Sequence, residues 1–157
     1  MHAIEHEVFN HTLQTTNIWL KELMAELRWK DRHKAYMALK VSLHALRDRL
    51  TVAEAAHLGA QLPMLVRGFY YESWSPAKPI KDRHKGEFAA HVKEHFKNDP
   101  DVDPEKVLCA VFRVLSRHVT EGEIEQVRHM LPPELRELWP VLPAGRGIRS
   151  IHPDPFE

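Results

Sequence analysis

The sequence predicts an all-α fold, a single helical-bundle domain of about eight helices followed by an extended C-terminal tail. Three observations carry that expectation. Apolar residues recur at steps of three and four along most of the chain, the period of a helix with one buried face. No stretch alternates β-branched and polar residues as a strand would. Two segments 69 positions apart share one grammar: Leu46, Leu50, Thr51, Glu54, Ala55, Leu58, Leu62 and Pro63 against Leu115, Val119, Thr120, Glu123, Ile124, Val127, Leu131 and Pro132.

The first helix is expected from about Ile4 to Arg28, with Phe9, Leu13, Thr16, Leu20, Leu23 and Leu27 forming the buried stripe and Trp19 and Met24 widening it. Trp29-Lys30-Asp31 reads as a turn, with Asp31 placed to cap a second helix that carries Ala35, Leu39, Leu43, Leu46 and Leu50. Thr51-x-x-Glu54 is a capping box. The threonine hydroxyl accepts from the glutamate amide, and the glutamate side chain reaches back to the threonine amide. The helix it starts runs to about Gln61, and Pro63 opens a short one to about Trp74, because proline is tolerated in a first turn and not inside a helix.

Ser75-Pro76-Ala77-Lys78-Pro79 is a stiff connector between halves. Beyond it, Phe88, Val92 and Phe96 mark a helix over about 82–97. Asp103-Pro104-Glu105 supplies an N-cap, a first-turn proline and an acidic first turn, ahead of the stripe Leu108, Val111, Phe112, Leu115 and Val119. Thr120-x-x-Glu123 and Leu131-Pro132 then repeat the earlier box and turn. The expected organisation is one domain, 1–140, made of two repeated units, 1–74 and 80–140, with a flexible tail at 141–157. In that tail proline and glycine recur too often for a helix, yet Ile148, Ile151 and Phe156 stand beside Arg146 and Arg149, a composition suited to a docking peptide or to a frayed end that folds back on its own domain.

Composition narrows the function classes. The chain has 157 residues, enough for one core, with 22 basic and 22 acidic side chains that cancel. No surplus of positive charge points to nucleic acid, and no apolar run reaches the roughly 18 residues of a membrane span. A single cysteine, Cys109, excludes a disulfide framework and a cysteine zinc cluster. The N-terminal residues lack the basic-then-apolar layout of a signal peptide, so the expected location is the cytoplasm.

Few residues carry chemistry. The tightest cluster among the 12 histidines is His91-Val92-Lys93-Glu94-His95. Histidines at i and i+4 share a helix face and can chelate one ion, and His-x-x-Glu-His matches the inverted zincin signature. Such a site needs a third ligand and a cleft; otherwise His91, Glu94 and His95 are solvated helix residues beside the Phe88/Val92/Phe96 stripe. Arg67 to Trp74 is the densest aromatic stretch, either a partner face or the closure of a core by Phe69 and Tyr70, with Tyr71 and Trp74 more open. Cys109 has no neighbouring histidine to activate it. There is no glycine-rich phosphate loop and no nucleophile elbow. These residues assign no catalytic group, no cofactor and no metal, leaving His91, Glu94 and His95 as the metal alternative.

Thr12-Leu13-Gln14-Thr15-Thr16-Asn17 with Trp19-Leu20, Leu43 to Leu50, Ala60 to Leu65 with Arg67-Gly68, and Glu121-Gly122-Glu123-Ile124 with Val127 together resemble the bacterial family called domain of unknown function 2267, over roughly residues 8–140. The resemblance implies a small all-helical protein and brings no activity, cofactor or catalytic residue with it. Leu131 to Arg136 is also similar, at the level of fold alone, to helical repeats in cytosolic domains of bacterial magnesium channels. The expectation is therefore a non-enzymatic interaction or scaffold protein that binds a protein partner or itself. The other reading is a metal-binding or metal-dependent hydrolytic protein.

Overall fold

The computed structural model describes residues 2–76, 79–81 and 83–140. Among the described residues there are eight helices and no strand: α1 (His2–Leu27), α2 (Arg32–Arg47), α3 (Val52–Ala60), α4 (Met64–Tyr71), α5 (Lys85–His95), α6 (Pro104–His118), α7 (Glu121–Met130) and α8 (Pro133–Arg136). Met1, Ala77, Lys78, Asp82 and the whole tail lie outside the described residues, so the expectation for the tail, like that for the middle of the connector, rests on sequence alone.

α2 and α6 pack on each other, and α1 and α5 each pack on both. Fully buried Leu39, Leu43, Leu46, Leu108, Val111, Phe112 and Leu115 fill the centre of this arrangement. Phe112 stacks on Trp139 with centroids 4.2 Å apart, and the Trp139 indole N–H donates to Ser116 Oγ at 2.8 Å. That bond gives the ring the polar partner it needs when buried. On the other flank Trp19 stacks on His118, whose ring bonds the Glu22 carboxylate at 2.7 Å. Arg113 and Arg117 pair with Glu26, and together they hold its carboxyl below the usual range.

The helix starts follow the sequence closely. Asp31 accepts from the Lys34 amide and Asp103 from the amides of Glu105 and Lys106. Thr51 and Thr120 accept from the amides of Glu54 and Glu123. The prolines differ by one position from expectation: Pro63 and Pro132 are the N-cap residues of α4 and α8, with ψ of 150° and 153°, and the helices begin one residue later. Proline cannot cap with a side chain, so α4 is capped from elsewhere; the Leu65 amide donates to Thr12 Oγ1 of α1 at 3.0 Å. The C-terminal turns of α3 and α7 are closed by arginines. Arg67 donates to the carbonyls of Gly59, Ala60 and Leu62, and Arg136 to that of Leu131.

The burial expected along α1 fails in its first half. The stripe of α1 was expected to bury Phe9 and Leu13, but they are 57% and 50% exposed. Periodicity assigns a residue to a face and says nothing of how far the neighbouring helices extend along it. The second half of α1 is covered, with Trp19, Leu20 and Leu23 buried, whereas the described helices leave Phe9 and Leu13 bare.

Candidate functional site

Two places stand out, and neither is the histidine pair. His91, Glu94 and His95 lie on α5, all exposed. His95 rests edge-on against Phe96, and Glu94 pairs with Lys97 at 3.2 Å. No third ligand joins them among the described residues. Cys109 is half-buried, and burial pushes its thiol up, the opposite of an activated thiolate. Phe69 and Tyr70 are core residues, the Tyr70 hydroxyl donating to the Ala55 carbonyl, while Tyr71 and Trp74 are half-buried.

The first place is a groove of about 520 Å³ between the early turns of α1 and the α3–α4 corner. Val8, Thr12, Leu62, Pro63 and Met64 line it, with Glu7, His11, Gln61 and Arg67 as polar groups. Thr12 fixes its geometry, since the Thr12–Leu65 bond ties α1 to the first turn of α4. Phe9 and Leu13 of α1 and Leu65 of α4 are exposed as well but do not line the groove. The sequence marked Phe9 and Leu13 as apolar but assigned them to the wrong environment.

The second place is the contact between α3 and α7. The two helices meet with the start of each beside the end of the other. Gln61, after the last turn of α3, accepts from the Thr120 amide at 2.9 Å, and the Thr51 hydroxyl approaches Met130 Sδ of α7 at 3.9 Å. Between these contacts Glu54 and Glu123 are 6% and 7% exposed. Sequence reasoning had each glutamate reaching back to its own threonine. Instead the Thr120 amide is taken by Gln61, and both carboxyls turn inward. One oxygen of each, Oε1, is buried without a hydrogen-bond partner. Burial, and then the neighbouring Glu54 carboxyl, push the Glu123 carboxyl up to about 8, so that at neutral pH it keeps its proton. His57, one turn after Glu54 on α3 and exposed, brings a ring nitrogen to the pair; the three ligand atoms all lie within 4.8 Å of one another. The sequence signal for this group is Glu54-x-x-His57, two ligand types at i and i+3, of which the sequence reading takes Glu54 only as part of a cap and makes nothing of His57.

Comparison with known proteins adds a family and no activity. Among the curated proteins none matches this chain. The family described as "Uncharacterized conserved protein (DUF2267)" matches residues 16–138, a region that holds Glu54, His57 and Glu123 and begins beyond Val8, Phe9 and Leu13. The match spans more than half of the 157 residues, and the chain belongs to the family called domain of unknown function 2267.

Proposed function

We propose that this is a non-enzymatic cytoplasmic helical protein that works through protein contacts, with the exposed apolar face of α1 and the adjoining groove as its contact surface. The observation that carries the reading is a groove lined by exposed Val8 and Met64, with Phe9 and Leu13 exposed on the same helix as Val8 and Leu65 exposed next to Met64. Single exposed apolar residues are ordinary on a surface; a concavity lined by exposed apolar side chains is the usual mark of a binding site. The occupant proposed is an apolar helix of a partner protein. A groove running beside a helix takes apolar side chains at i, i+3 and i+4, and the polar rim of Glu7, His11 and Arg67 fixes register.

The two-unit organisation, 1–74 and 80–140, belongs to the same proposal. Supporting it are the matched threonine caps, the matched Leu-Pro turns and the Arg67–Leu62 and Arg136–Leu131 bonds, whose residues stand 69 positions apart. In this reading the inner helices form the scaffold and the longer α1 supplies the face that α5 has no length to match.

The double variant Phe9→Asp/Leu13→Asp tests the contact surface. Both residues are exposed, so its unfolding midpoint should stay within about 0.5 kcal/mol of the parent. Binding to a partner isolated from the native host, measured by titration, should fall at least tenfold. A stable variant that binds that partner as tightly as the parent removes the α1 face from the account.

A further inference from the structure

The α3–α7 contact holds two carboxyl groups where a helix pair ordinarily places apolar side chains. Each belongs to a residue more than nine-tenths buried, and each keeps one oxygen with no donor. A buried carboxyl without a donor is costly, so such a pair calls for a proton or a metal ion between the oxygens. His57 separates these possibilities. A proton shared by two carboxyls needs no imidazole, yet His57 brings its nitrogen within 4.8 Å of the ligand oxygens of both. Residues at i and i+3 share a helix face, so Glu54 and His57 converge without backbone strain.

We infer that Glu54, His57 and Glu123 form a binding site for one divalent transition-metal ion of the zinc or manganese class. The donor set is two carboxylate oxygens and one imidazole nitrogen, which suits such ions and leaves a coordination position for solvent on the His57 side. Calcium takes six to eight oxygen ligands, more than this group supplies. Ligand atoms around a tetrahedral zinc lie ~3.3 Å apart, so small side-chain rotations close the cluster from its present spacing. The site takes one ion and not two, because Gln126 stands 69 positions after His57 and the second glutamate lacks a histidine of its own.

The test uses the full chain, purified without a histidine tag and stripped with a chelator, titrated with zinc against a chromophoric competitor. One equivalent should bind, raising the thermal midpoint, while magnesium at the same concentration should leave it unchanged. Glu54→Gln, Glu123→Gln and His57→Ala should each weaken zinc binding at least tenfold. Gln126→Ala and the double variant His91→Ala/His95→Ala should bind as the parent does. His57 is exposed, so its variant reports on the site even if a glutamate variant folds poorly. The proposal is overturned if no stoichiometric zinc binds, if binding survives His57→Ala undiminished, or if it disappears with His91 and His95. Loss of zinc binding leaves the α1 contact surface untouched, because none of these three residues lines that groove.

Discussion

Gln61 accepts the Thr120 amide at 2.9 Å, so the end of α3 caps the start of α7 and displaces the glutamate expected there. That exchange decides where Glu123 goes. With its backbone partner taken, the Glu123 carboxyl turns into the helix contact and meets Glu54, which occupies the same position in the other capping motif. A capping signal in the sequence thus becomes a buried pair of acids in the fold.

Thr51→Ala and Thr120→Ala should each lower stability by about 0.5–2 kcal/mol with no change in helical content, because each hydroxyl caps its own helix at the third amide. Denaturant midpoints with far-UV dichroism measure this. Two variants indistinguishable from the parent would show that the threonine caps carry no stabilisation.

The stability of the metal-free protein should depend on pH through Glu123. Its folded value of about 8 lies above the ~4.3 of an unfolded glutamate, so between the two the folded chain holds a proton that the unfolded chain has released. Stability therefore falls as pH rises through that window and levels off above it. Glu123→Gln keeps the neutral form at every pH, so in the presence of chelator its midpoint should draw ahead of the parent's as pH rises from about 5 to 8 and hold that lead above it. Parallel profiles for the two proteins would contradict the buried-acid account.

Arg28 closes α1 in the left-handed region, at φ 57°, with the Trp29 amide reaching back to the Met24 carbonyl at 2.9 Å. That position favours glycine; a side chain there costs roughly 1–2 kcal/mol, partly offset by the backbone entropy glycine loses. Arg28→Gly should stabilise the protein by up to about 1 kcal/mol, read as a shift in the denaturant midpoint. A fall in stability would mean that the arginine side chain contributes more than its backbone strain costs.

What the sequence made legible were the local signals. Asp31, Thr51, Asp103 and Thr120 cap helices as expected, and Leu62-Pro63 and Leu131-Pro132 mark turns, because caps and proline act within a few residues of themselves. What it hid depended on partners far along the chain. The exposure of Phe9 and Leu13 is set by where other helices stop, and the inward turn of Glu123 by Gln61, 59 residues before Thr120. For the same reason His57 stands out only once α7 packs beside α3.

If the two units are copies, their arginine clasps should behave alike in kind and differ in degree. Arg67 makes bonds to three carbonyls and Arg136 to one. Arg67→Ala should therefore be the costlier change, by about 1.5–3 kcal/mol for hydrogen bonds from a charged donor, with Arg136→Ala at the lower end of that range or below it. Equal effects, or a larger one at Arg136, would count against this reading of the two turns.

The claim that α1 presents the contact surface is tested most directly by photo-crosslinking in the native host, with the reactive residue placed at Leu13 and, as a control, at exposed Lys93 on α5. The account predicts a discrete protein adduct at position 13, identifiable by mass spectrometry as a helical segment of a partner, suppressed by Phe9→Asp and absent at position 93. No adduct at position 13, or the same adducts at both positions, would contradict it.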